Sequence, residues 1–145
     1  MIQRIQNIFL ILASLSFGAL FKLPLLSSTT PSTQFLADSI YNIQDHLILL
    51  SITGFAIGVS VLSIFLYKNR KLQRRLVYLV IFLAIAFSIA AYFLLKTNGG
   101  EAMNAIDIHI KAGIFLPLAG MIFCFIAGYY IGKDDKLVKS MDRLR

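Results

Sequence analysis

Apolar residues fill four long stretches of the chain, and no charged residue interrupts the last three. A helix needs roughly 20 mostly apolar residues to cross the hydrocarbon core of a bilayer. Soluble helices keep a polar face, which these stretches lack. The pattern therefore predicts a single membrane domain with four spanning helices, at about residues 5–26, 47–67, 76–95 and 112–131.

The first apolar stretch has a second interpretation. Arg4 followed by an apolar run is also typical of a secretory signal peptide, which is removed from the mature protein. No small-x-small cleavage site follows the run cleanly, and Lys22 and Pro24 interrupt the place where it is expected. We therefore expect this segment to remain as a span.

Basic residues predict the orientation of the spans. Of the 14 Lys and Arg residues, one precedes the first span, five lie between spans two and three, and five follow span four. Cytoplasmic loops of membrane proteins carry such an excess of Lys and Arg. We therefore expect an all-α, four-helix membrane bundle with both termini in the cytoplasm. The same signal explains the net charge of +7 without nucleic-acid binding.

The cytoplasmic side offers two surfaces for contact. The tail at 132–145 has apolar residues at helical spacing and charges on its other face, which predicts a short amphipathic helix. Lipid, the base of the bundle or a partner must cover such a stripe. The basic loop before span three is a topology signal, with anionic lipid headgroups as a further contact. The predicted partner or lipid contacts are Leu137, Met141, Leu144, Lys68, Arg70, Lys71, Arg74 and Arg75.

Small residues spaced four apart predict close packing between helices. Span two contributes Gly54 and Gly58. The stripe of span four consists of Gly120, Cys124, Gly128 and Gly132. We expect these two spans to pack against each other, and we expect Pro117 to kink span four or loosen its turn.

The two outer connections carry two acids and two histidines, which are the residue types of a metal site. Two carboxylates and two imidazoles can bind a divalent metal. Their close spacing does not place either pair on one helical face, however, and both acids suit helix N-terminal positions. Residues 38–43 are predicted to form a short amphipathic helix at the outer surface. Capping and interfacial roles are therefore favoured over a metal site for Asp45, His46, Asp107 and His109.

Composition and motifs argue against most enzyme classes. Hydrophobic residues make up 58% of the chain and charged residues 14%, whereas soluble domains carry about 25% charged residues. The single cysteine excludes an intrachain disulfide and a cysteine-based zinc site. The span centres hold no ionisable group for a proton relay, and their hydroxyls are expected to bond to backbone carbonyls one turn back. No phosphate-binding, dinucleotide-binding or hydrolase motif is present, so no cofactor is expected.

The two ends of the chain carry a recognisable pattern. Residues 1–6 read MIQRIQ, and residues 133–145 read KDDKLVKSMDRLR. This pattern resembles a family of small four-span bacterial membrane proteins known only as a domain of unknown function. The resemblance extends over the whole chain and implies a bacterial cytoplasmic membrane. It supplies no activity, cofactor or catalytic residue.

Three functional hypotheses remain. The first is a non-enzymatic accessory or structural subunit of a larger membrane complex, with lipids and other membrane subunits as partners. Its basis is the absence of ionisable groups in the spans together with the patterned tail. The second is a small transporter, or a lipid or quinone binder, with an apolar pocket near Gly113 and Pro117. The third is an enzyme at the outer interface that uses His46 and His109.

Overall fold

The computed structural model describes residues 2–28, 40–67, 69–99 and 108–142, of which 84% are helical. The four α-helices are α1 (Ile2–Ala19), α2 (Leu47–Phe65), α3 (Arg70–Gly99) and α4 (Leu116–Asp142). The three short strands are β1 (Leu26–Ser28), β2 (Ile40–Tyr41) and β3 (Ile108–Ile110). Two 3-10 helices, Ile43–Asp45 and Ala112–Phe115, precede α2 and α4.

Three described helical segments are long and apolar enough to cross a membrane: Leu47–Phe65, Arg70–Thr97 and Ala112–Val138. The first helix contributes a shorter apolar stretch, Ile5–Ala19. Helix α1 therefore ends seven residues before the predicted end of the first span at residue 26. Pro24 explains the difference, because proline restricts the residue before it and cannot donate the next helical hydrogen bond.

The four helices pack in a ring. Helix α1 packs against α2 and α4, and α3 packs against the same two helices. Within the described residues α2 makes no comparable contact with α4, so the predicted pairing of spans two and four is wrong. The ring interior is mostly apolar, because α1 and α3 each present an apolar stripe at helical spacing. The fully buried members of these stripes include Leu10, Ala13, Phe17, Val77 and Val80.

The two glycine stripes lie in different surroundings. A Cβ atom on Gly120 would lie 2.8 Å from the ring of Phe17, so this glycine lets α4 approach α1 closely. Gly128 lies beside Val77 of α3. Gly54 and Gly58 instead face outward, and a Cβ on either would meet no atom within 4 Å. The α4 stripe therefore packs on α1 and α3, whereas the α2 stripe takes no part in packing the four helices.

A small antiparallel sheet closes one end of the helices. Its strand order is β2-β1-β3, and β1 pairs Leu26 with Tyr41 on one side and with Ile110 on the other. We call this sheet, with its two 3-10 helices, the strand cap. It adds three short strands to the predominantly helical fold that the sequence predicts. It corrects the helix predicted at 38–43, since residues 40–41 form β2. Residues 38 and 39 lie outside the described part of the chain.

Helix α4 differs from its prediction at both ends. Pro117 lies in the first turn, where the missing N–H needs no partner, so it starts the helix and does not kink it. At the other end α4 continues to Asp142 without a break. The predicted tail helix is therefore an extension of the fourth helix, not a separate element.

The end of the molecule opposite the strand cap is rich in positive charge, and we call it the basic end. A short connection from α2 to α3 lies there, closed by a hydrogen bond of 3.0 Å from the Asn69 N–H to the Leu66 carbonyl. The guanidinium of Arg70 forms an ion pair of 3.1 Å with Asp134. It also donates a hydrogen bond of 3.3 Å to the Asp134 carbonyl. These contacts join the start of α3 to the extension of α4.

Candidate functional surfaces

The strand cap has a buried tyrosine at its centre. Tyr41 is fully buried and contacts the ring of His46, with 5.7 Å between ring centroids. An Asp45 carboxylate oxygen accepts a hydrogen bond of 2.6 Å from the Asn42 N–H. Burial and, secondarily, the negative charge of Asp45 raise the pKa of Tyr41 to about 12. The arrangement fixes the entry into α2 and holds the tyrosine neutral.

The outer histidines occupy different parts of the cap. His46 lies at the start of α2, whereas His109 is exposed in β3 and is paired with Ser27. Strand β1 separates β3 from β2. Among the described residues no three His, Cys, Asp or Glu side chains come together as a metal site would require. Asp107 lies outside the described residues, so the capping role predicted for it stays a prediction.

Hydroxyl groups in the helices follow the sequence expectation with two exceptions. Thr53 and Ser88 donate hydrogen bonds to carbonyls one turn back, as do Ser14, Ser16 and Ser51. Ser60 and Ser63 are fully buried and have no hydrogen-bond partner among the described residues. The interior of the helices therefore holds polar groups that backbone carbonyls do not satisfy.

Two buried glutamines, which the sequence reasoning missed, share this property. Gln6 of α1 and Gln73 of α3 are fully buried near the basic end, and neither amide has a partner among the described residues. Each continues the buried stripe of its helix by one turn, since Gln6 precedes Leu10 and Gln73 precedes Val77 by four positions. That spacing was the signal available in the sequence.

A basic groove runs between α3 and α4 at the basic end. It has two adjoining lobes of about 260 and 350 Å³. Arg74 and Tyr78 line both lobes, so they stand where the lobes meet. The first lobe adds Arg70, Lys71, Arg75, Ile131 and Asp135. The second adds Gly128, Tyr129, Gly132, Lys133 and Lys136. Lys68, predicted with this cluster, lies outside the described residues.

The extension of α4 carries part of the predicted apolar stripe. Leu137 is exposed, as is the neighbouring Val138. Leu144 lies outside the described residues, and only the backbone of Met141 is described, as part of α4. Of the three stripe residues, the structure therefore describes the side chain of Leu137 alone. The full surface predicted to contact a partner stays a prediction.

An apolar groove lies near the strand cap, where the sequence suggested a pocket. It encloses about 220 Å³ between α3 and the start of α4. Gly113 does not line it, because this glycine packs against the backbone of Pro24. The lining residues are Leu25, Phe87, Ser88, Ala91, Tyr92, Leu95, Ile114 and Pro117.

Comparison with known protein families gives a match over almost the whole chain. A family model described as "Domain of unknown function (DUF4293)" matches residues 2–144. No curated protein and no solved structure matches the chain.

Proposed function

Since the chain belongs to the family described as domain of unknown function DUF4293, we propose from its surfaces that it is a non-enzymatic accessory or structural subunit of a larger bacterial membrane complex. Its apolar helices are compatible with a membrane protein. The proposal places it in the cytoplasmic membrane with the basic end and both termini inside the cell, in keeping with the excess of Lys and Arg at that end.

The outward glycine face of α2 carries the proposal. Gly54 and Gly58 are exposed and lie one helical turn apart, with Phe55 and Leu62 beside them. In lipid, helices associate mainly through close van der Waals packing, which small residues four apart permit. Because the chain's own helices do not use this face, it is free to accept a helix from another subunit.

The extension of α4 supports the same proposal. At 1.5 Å per residue the 27 residues of α4 extend about 40 Å, whereas the hydrocarbon core is about 30 Å thick. The last turns therefore project beyond the lipid, with Leu137 exposed among charged side chains. A partner subunit can contact this extension outside the membrane and α2 within it.

Photo-crosslinking in native membranes tests the proposal. We would place benzoylphenylalanine at Phe55 on α2 and, as a matched control, at Phe82 on α3. The two phenylalanines are 66% and 68% exposed, so the two probes are equally accessible. We expect a protein adduct of defined mass from position 55 and lipid adducts alone from position 82. Mass spectrometry of the adduct identifies the partner subunit or a second copy.

A glycine-face variant completes the experiment. Gly54→Leu with Gly58→Leu should leave the four helices packed, because neither new side chain meets an atom of the chain near its Cβ. The position-55 adduct should then disappear. Equal lipid-only labelling from both positions, or an adduct that survives the double variant, would contradict a subunit contact at α2.

A lipid or quinone binder is the second candidate. The apolar groove near Pro117 favours it, since it opens between α3 and α4 beside the aromatic side chains of Phe87 and Tyr92. Its volume of about 220 Å³ lies below the roughly 300–1,000 Å³ of most small-molecule sites, so it suits one acyl or isoprenoid chain. Loss of a co-purified lipid or quinone on Ala91→Phe would support this candidate.

A further inference from the structure

We propose that the basic groove between α3 and α4 is a binding site for the phosphate headgroup of an anionic phospholipid. The site is set by the shape and charge of both helices together. It is independent of the α2 face. A topology signal requires basic residues at this end of the molecule, but it requires no specific ligand.

The charges of the groove favour a phosphate in the second lobe over the first. In the first lobe Arg70 is paired with Asp134, and the other charged lining residues are Lys71, Arg74, Arg75 and Asp135. The second lobe has Arg74, Lys133 and Lys136 and no carboxylate. A guanidinium shared by two lobes can donate to two phosphate oxygens with fixed geometry.

Two glycines of α4 leave the space that forms the second lobe. Gly128 and Gly132 line it, and a Cβ on Gly132 would lie 3.7 Å from a guanidinium nitrogen of Arg74. Arg74 therefore lies beside α4 at Gly132, where a side chain longer than a methyl group would enter the lobe. The glycines of α4 therefore have a further role, since only Gly120 among them packs closely against another helix.

The surface beside the groove favours a lipid over a soluble acidic ligand. Tyr78 and Tyr129 stand at the groove, and tyrosine is enriched where membrane meets water. One turn towards the strand cap, Phe82 and Phe125 are exposed on the same helix faces. A phospholipid bound at Arg74 would thus lay its acyl chains along aromatic and aliphatic side chains.

The length of α3 places the groove at the right depth. Arg74 and Lys96 are 22 residues apart, or about 33 Å along the helix. The hydrocarbon core of a bilayer is about 30 Å thick. With Lys96 at one surface, Arg74 lies at the level of the phosphates on the other.

Lipid exchange followed by native mass spectrometry tests the site. The full chain is equilibrated in mixed micelles of phosphatidylglycerol and phosphatidylcholine, and the retained lipids are counted. We expect preferential retention of phosphatidylglycerol, unchanged by added inorganic phosphate. Equal retention of the two lipids by the unmodified chain would overturn the proposal, and so would displacement by inorganic phosphate, which would indicate a site for the free ion.

Two variants with matched controls separate the groove from general positive charge. Arg74→Gln should lower the preference about fivefold, the effect expected for one basic residue at a membrane surface. Gly132→Leu should lower it with no change of charge, because it fills the second lobe. Lys96→Gln and Gly18→Leu, at the other end of the molecule, should retain it. Loss in either control, or full retention in Gly132→Leu, would contradict a defined site.

Discussion

At the scale of single residues, the buried amides of Gln6 and Gln73 are the least expected feature. A buried polar group without a hydrogen bond costs about 1–3 kcal/mol. Both amides lie near the basic end, one turn beyond apolar stripes that are otherwise continuous. Their positions indicate that the helices pack less stably at this level than in the rest of the structure.

Replacing one of these amides should not weaken the protein. We expect Gln73→Leu to raise the free energy of unfolding by about 1 kcal/mol, because it removes an unpartnered buried amide and fills a similar volume. Thermal unfolding in detergent measures the change. Thr53→Val is the matched control, and it should bring no gain because the Thr53 hydroxyl already bonds to the Leu49 carbonyl at 2.8 Å. A clear loss of stability in Gln73→Leu would show that the amide is satisfied in the native protein.

At the scale of elements, the strand cap joins the ends of three helices through main-chain contacts. The Leu25 N–H donates to the Tyr41 carbonyl at 2.9 Å, and the Lys111 N–H donates to the Leu25 carbonyl at 3.1 Å. Gly113 then donates to the Pro24 carbonyl at 3.1 Å. The segment after α1 is thereby held between the segments that lead into α2 and α4.

Gly113→Ala should loosen this junction. A Cβ at Gly113 would lie 2.7 Å from the Pro24 carbonyl carbon and 2.8 Å from the Leu23 oxygen, and backbone atoms cannot rotate away as a side chain does. We expect a loss of about 2 kcal/mol, as in other overpacked sites. Gly18→Ala is the control, with nothing within 4 Å of its Cβ and no loss expected. Equal unfolding temperatures for the two variants would contradict the close contact.

The elements also show how far the sequence predicts the fold. Apolar length located the helices, because spanning a bilayer demands long unbroken runs whatever the tertiary structure. The strand cap was missed, since strands of two or three residues form only when distant segments meet and leave no periodic signal of their own. The sequence also did not show that the Gly54 stripe faces outward, because spacing identifies a helix face but not what lies against it.

At the scale of the whole molecule, charge divides the structure into two ends. Arg70, Lys71, Arg74 and Arg75 start α3, and Lys133 and Lys136 lie on the extension of α4. The strand cap at the other end has few basic residues. The candidate surfaces follow the same division, with the basic groove at one end and the apolar groove near the other. The sequence predicted this asymmetry from the positions of Lys and Arg, but not the groove, which depends on Gly132 lying beside Arg74.

Cysteine labelling in intact cells tests the central claim that these apolar helices cross the membrane with the basic end inside. In a Cys124→Ser background, Gln44→Cys places a thiol on the strand cap and Lys136→Cys places one on the α4 extension, both at exposed positions. A membrane-impermeant maleimide should label position 44 in intact cells and position 136 only after permeabilisation. Labelling of both positions in intact cells, or protection of position 44 with exposure of position 136, would contradict the account.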